Sequence, residues 1–90
     1  MRCEEKIAGG KLVCIDVWTD SDKVSTLKIT GDFFLHPEER IELLESAVIG
    51  LKITLSESEI QKKFENALGN ASLIGVTCAD LARIFKKAVS

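Results

Sequence analysis

Apolar and polar residues alternate from Lys11 to Thr19, so that Val13, Ile15 and Val17 share one face and Leu12, Cys14, Asp16 and Trp18 the other. A period of two in a β-branched run predicts a strand over residues 11–19. A weaker strand is predicted over 2–8. The two are separated by Gly9-Gly10, which suits a tight hairpin because glycine accepts positive φ without penalty. Asp20-Ser21-Asp22 supplies a second polar turn, and a third strand follows over 23–32 with Leu27 and Ile29 facing the core. The three make an antiparallel meander.

Beyond residue 36 the period lengthens to that of a helix. Pro37 fits a first helical position, with Glu38 and Glu39 in the first turn, where carboxylates suit the helix dipole. A helix over 37–50 gathers Ile41, Leu43, Leu44, Ala47, Val48 and Leu51 on one broad side. Glu38, Glu42 and Glu45 form the opposite stripe, which Ile49 continues. Two more helices, over 56–68 and 77–89, open with one device. Leu55-Ser56-Glu57-Ser58-Glu59-Ile60 and Val76-Thr77-Cys78-Ala79-Asp80-Leu81 each place a hydroxyl at the N-cap and an acid three positions later, bracketed by apolar residues. This is a capping box with a hydrophobic staple. Ile60, Phe64, Ala67 and Leu68 form one core stripe, and Leu81, Ile84, Phe85 and Ala88 the other. Gly69-Asn70 ends the middle helix. Strands followed by helices in blocks predict an α+β fold, a small three-stranded antiparallel sheet packed on one face by three helices, in a single domain over 1–90.

Composition narrows the function classes. The chain has 90 residues, 46% of them hydrophobic and 29% charged, which is ordinary globular composition with room for one core burying roughly 60–70% of the unfolded surface. A net charge of −2 gives no electrostatic reason to bind nucleic acid or an anionic membrane. Cys3, Cys14 and Cys78 are odd in number and contain no Cys-x-x-Cys pair, so neither a disulfide framework nor a zinc knuckle is written here. No signal core or membrane-spanning run is present, and the expectation is a reduced, cytoplasmic protein.

Candidate chemistry is sparse. His36 is the single histidine; before a proline-initiated helix it reads as a cap or turn residue rather than a general base. Cys78 falls in the first turn of the last helix, where a thiol pKa can be lowered, and a small thiol enzyme could be built only there. Its place beside Leu81 and Phe85 favours a small buried hydrophobe instead. Gly9-Gly10 precedes a strand and matches no phosphate-loop pattern. Lys62, Lys63, Arg83, Lys86 and Lys87 read as solvated helix charges, and so does the Glu38, Glu42, Glu45 stripe.

The junction Ile29-Thr30-Gly31-Asp32-Phe33-Phe34 is the exception, since it holds two of the four phenylalanines. Neighbouring side chains at a strand end face opposite ways. One phenylalanine is therefore expected under the sheet, with Asp32 bonded to nearby amides, while the other points outward beside a carboxylate as an interface anchor. Asp32, Phe33 and Phe34 are the candidate partner-contact residues; no catalytic, cofactor or metal residue is identified.

A hairpin containing glycine, a strand ending in Gly31-Asp32-Phe33-Phe34, and the helix Glu39-Arg40-Ile41-Glu42-Leu43-Leu44-Glu45 leading to Gly50 together resemble the accessory domain of lipoate–protein ligases. Ile74-Gly75-Val76-Thr77 leading into Asp80-Leu81-Ala82 extends the likeness over nearly the whole chain. In most such ligases this domain is the C-terminal part of a longer polypeptide; in some archaeal ligases it is a separate small protein. A chain of 90 residues opening on its own methionine is similar to the split form.

The resemblance implies a non-catalytic subunit paired with a catalytic chain as a heterodimer. That chain would bind lipoate, ATP and Mg, form lipoyl-adenylate, and transfer the lipoyl group to a lysine of a lipoyl carrier domain. The family's Gly-rich lipoate-binding motif and adenylate-contacting lysine belong to the catalytic chain and do not occur here. The accessory domain is associated with the activation half-reaction. The alternative is a generic interaction module of an unrelated cytoplasmic complex, because fold alone does not dictate function.

Overall fold

A computed structural model of the chain describes residues 1–7, 9 and 11–90. Ala8 and Gly10 lie outside the described residues, and with them part of the Gly9-Gly10 turn and the end of the strand expected over 2–8. Strands β1 (Arg2–Lys6), β2 (Leu12–Asp20) and β3 (Lys23–Gly31) form an antiparallel meander in the order β1-β2-β3. The first hairpin is closed by the Ile7 amide donating to the Lys11 carbonyl at 2.8 Å, with Gly9 at φ +87°. Cross-strand pairing sets Ile15 opposite both Cys3 and Ile29, and Val17 opposite Leu27. Val13, Ile15, Val17, Leu27 and Ile29 all lie in the core.

Helix α3 (Cys78–Val89) lies across β1 and β2, α2 (Glu57–Leu68) packs on α3, and α1 (Ile41–Ser46) sits against β3 and α2. The α+β class expected from the sequence is the class observed. Phe64 and Phe85, both fully buried, anchor the α2–α3 layer. Thr77 and Asp80 close a complete capping box on α3: the Asp80 amide donates to Thr77 Oγ1 at 3.1 Å, and the Thr77 amide to Asp80 Oδ2 at 3.0 Å. The α2 cap is different. The Glu59 amide donates to Ser56 Oγ at 3.2 Å, but the Glu59 carboxylate takes the Ser56 hydroxyl at 3.1 Å instead of returning to the backbone.

The helix expected over 37–50 is not formed at that length. Pro37 is extended (φ −71°, ψ 146°) and precedes a 3-10 turn, Glu38–Arg40; α1 proper spans only Ile41–Ser46. The cause is tertiary. Past Ser46 the backbone turns to the outer edge of β3, where the Gly50 amide donates to Val24 O at 2.8 Å, Val24 N to Leu51 O at 3.0 Å, and Ile53 N to Asp22 O at 2.8 Å. Those edge bonds satisfy groups that a continued helix would have turned inward on itself. The tighter first turn and early end rotate the wheel, so Leu43, expected on the core side, is exposed, while Leu44 and Val48 are fully buried.

Two three-residue strands were not expected: β4 (Phe34–His36) and β5 (Ser72–Ile74) pair as a separate antiparallel ribbon. The strand expected over 23–32 ends at Gly31.

Three charges read from the sequence as solvated are in fact structural. Lys86 donates to the carbonyls of Ile53 and Leu55 at 2.8 and 2.7 Å, tying α3 to the loop before α2. Arg83 donates through Nε to Glu5 at 3.0 Å and through Nη1 to Asp80 at 2.9 Å, and Lys87 also pairs with Glu5. The Lys87 and Arg83 hydrogen bonds hold the Glu5 carboxyl below its ordinary pKa of 4.5. For Asp80, partial burial pushes upward but is outweighed by the Thr77 amide and by Arg83, and its pKa is also lowered.

Lowered carboxyl pKa values mean that the unfolded chain binds more protons in acid, so this stabilisation is present above the ordinary carboxylate range and lost as the pH falls through the lowered values. Glu5→Gln is therefore expected to unfold at lower denaturant than the parent at pH 7. The difference should shrink steadily on acidification in urea titrations followed by circular dichroism; a gap independent of pH would show that the Glu5 charge contributes nothing.

Candidate functional site

The site begins with a backbone constraint. Gly31 has φ +150°, and a Cβ there would lie 2.3 Å from the Leu12 carbonyl oxygen and 2.9 Å from the Val13 Cα. No side chain can be accommodated at either distance. The next amide, of Asp32, donates to that same Leu12 carbonyl at 2.8 Å. The chain is thus pinned against β2 as it leaves β3, and the residues that follow are carried away from the meander into β4.

There they meet β5. Phe34 pairs with Ile74, Leu35 with Leu73, and His36 with Ser72. Alternation sends Leu35 and Leu73 toward the core, where Leu35 is buried and Leu73 partly so. It leaves Phe34 and Ile74 side by side on the outer face, 72% and 63% exposed. Phe33, one residue earlier, packs half-buried against the core. Gly75 (φ +97°) lies against Asp32 and Phe33, with the position of its missing Cβ 3.5 Å from Asp32 O and Phe33 Cα. Gly31-Asp32-Phe33-Phe34 and Ile74-Gly75, separate in sequence, form one surface.

Grooves flank Phe34. One, of about 420 Å³, runs along the outer edge of β3 and is lined by Ile29, Gly31, Phe33, Phe34, Glu38 and Ile41 among others. The other, of about 440 Å³, is lined by Gly9, Lys11, Gly31, Asp32, Phe33 and Phe34. Phe33 and Phe34 form the wall between them.

Of the sequence-derived contact residues, Phe34 is thus the outward phenylalanine and Phe33 the inward one. Asp32 is exposed, and among the described residues its carboxylate accepts no hydrogen bond; its amide, rather than its side chain, makes the turn. Ile74 was missed by sequence reading. A three-residue strand is too short to show alternation, and the signal that could have located it is the Gly75 that follows.

Glu45 departs from the solvated stripe assigned to it. Its Oε2 accepts the Ile29 amide at 2.9 Å and so caps an outward-facing donor on the β3 edge, while Glu38 and Glu42 remain exposed. His36 is exposed in β4 rather than capping a helix. Cys78 is buried at the start of α3, and desolvation, helped by the Glu65 carboxylate, pushes its thiol pKa upward. That is the reverse of what a nucleophilic thiolate needs. Cys3, Cys14 and Cys78 are free thiols. Among the described residues no group of three His, Cys, Asp or Glu side chains is placed to hold a metal ion, and no helix is long and apolar enough to cross a membrane.

No protein-family model and no curated protein sequence matches the chain. The fold does match a solved structure, from an archaeal lipoylation system comprising a bi-partite lipoate protein ligase and its E2 lipoyl domain from Thermoplasma acidophilum. The superposition has a TM-score of 0.75 at 25% sequence identity and covers 94% of this chain and 92% of that one. The resemblance to the lipoate–protein ligase accessory domain, first carried by Gly31-Asp32-Phe33-Phe34 and Ile74-Gly75-Val76-Thr77, therefore extends to the three-dimensional fold.

The placement of the two phenylalanines separates packing from contact. Phe33→Ala is expected to cost roughly 2 kcal/mol of stability, since it removes a half-buried ring from the core margin. Phe34→Ala should stay within about 0.5 kcal/mol of the parent. Equal losses in denaturant unfolding would contradict the assignment of one ring to the core and the other to solvent.

Proposed function

We propose that this chain is the non-catalytic accessory subunit of a two-chain, ATP-dependent lipoate–protein ligase. The observation that carries the reading is the fold match to a chain from a bi-partite ligase system, spanning nearly all of both chains at 25% identity. In this reading the catalytic chain binds ATP, Mg and lipoate, forms lipoyl-adenylate, and transfers the lipoyl group to a lysine of a lipoyl carrier domain. The present chain is required for the activation step. Asp32, Phe33 and Phe34 mark the region that meets the catalytic chain, with Phe34 as the side chain exposed for contact and Phe33 holding it in place.

A subunit without catalytic groups can promote activation by binding one conformation of its partner more tightly than another. Reversing a 1:99 equilibrium to 99:1 takes about 10⁴-fold preference, or about 5.5 kcal/mol. A few well-packed interface anchors reach that scale, since each contributes about 2 kcal/mol or more when truncation is measured. A 90-residue domain is large enough to present such a patch.

The test is lipoate-dependent ATP–pyrophosphate exchange by the matching catalytic chain, with and without this protein. Exchange that rises at least tenfold on its addition is the expected outcome. Exchange indifferent to it would remove the activation role and move a general protein-interaction module to first place.

A further inference from the structure

We propose that Phe34 and Ile74 act together as one docking anchor, and that the surface they fit on the catalytic chain is an apolar pocket edged by lysine or arginine side chains. The inference rests on the accessory-subunit reading and deepens it. It adds a residue from β5, and it specifies the chemistry of the partner.

Single exposed apolar side chains are common and need no explanation. These two differ because they are directly opposite in an antiparallel pair, where side chains stand about 5 Å apart and form one contiguous surface. Trp18, also exposed, faces Thr26 across its strand pair and has no such apolar partner there. The Phe34–Ile74 patch is also held from behind, by Leu35 and Leu73 facing the core and by the glycine-dependent turns at 31 and 75. Little backbone freedom remains to be lost on binding, which favours affinity. The grooves on either side of Phe34 leave room for a partner to close around the ring.

Charge selects the partner. Asp32 lines one groove and Glu38 the other, and Glu42 continues the Glu38 row one helical turn on. Among the described residues none of the three carboxylates has an ion-pair partner, which leaves their charges open to cations of a partner. Lys11 is the one cation among the described lining residues. An apolar knob with an acidic rim is complementary to a hollow with a basic one, and rim charges of this kind govern association rate and salt dependence more than final affinity.

The proposal is tested by calorimetry and stopped-flow association between this chain and the catalytic ligase chain of the same organism. Folding of each variant is checked by circular dichroism. Phe34→Ala and Ile74→Ala should each weaken binding at least tenfold, with unfolding midpoints unchanged. The double variant Asp32→Asn/Glu38→Gln should associate severalfold more slowly at low salt and lose part of the salt dependence. Trp18→Ala should bind like the parent. A complex formed at parental affinity by both apolar variants would overturn the anchor while leaving the accessory-subunit reading in place. Weakening by Trp18→Ala equal to that of Phe34→Ala would do the same. Association that speeds up when the two carboxylates are neutralised would overturn the basic partner. Failure of the parent to form any complex would overturn the reading and the anchor together.

Discussion

The carbonyl oxygen of Leu12 occupies the space that a Cβ at position 31 would need, and much of the molecule's shape follows from that contact. A meander of three strands would otherwise run straight into its first helix. Instead, backbone presses on backbone at Gly31, the Asp32 amide fastens to the same carbonyl, and the chain leaves the sheet at an angle only glycine permits. The deflection creates β4, gives β5 a partner, and separates Phe33 from Phe34 so that one ring supports the core and the other stands in solvent. The exposed pair Phe34–Ile74 therefore depends on a residue that touches neither side chain directly through a side chain of its own.

The second organising feature is the outer edge of β3. An uncovered edge strand invites pairing with other chains. Here Glu45 supplies a carboxylate to the Ile29 amide, and the segment around Gly50 to Ile53 bonds to Val24 and Asp22. The same covering shortens α1 to six residues and leaves the groove between β3 and β4 as the accessible remainder of that edge. Fold stability and the geometry of the contact surface are thus linked, because the segment that protects the edge also bounds the groove beside Phe34.

On the far side, ion pairs join β1 to α3. Glu5 receives both Arg83 and Lys87, and Arg83 also reaches the capping residue Asp80. A carboxylate on the terminal strand thereby connects the sheet to the N-terminal cap of the last helix. The arrangement leaves these ions committed, in contrast to the unpaired carboxylates around the candidate site.

What the sequence determined by itself was local. Alternation over Val13, Ile15 and Val17, the hydroxyl–acid caps at Ser56 and Thr77, and Gly69 after the middle helix each act within a few residues. They were therefore legible without knowledge of what packs against them. The outward turn of one phenylalanine was also legible, because alternation needs only adjacent residues. Tertiary structure alone decided the rest. The early end of α1, the inward turn of Glu45, and the commitment of Lys86 to two loop carbonyls are answers to backbone groups contributed by distant segments. The pairing of Phe34 with Ile74 is of the same kind: two three-residue strands have no periodicity of their own to announce them. They exist because Gly31 and Gly75 let two remote stretches of backbone approach, and the hydrogen bonds between them are satisfied only once the core has brought both ends together.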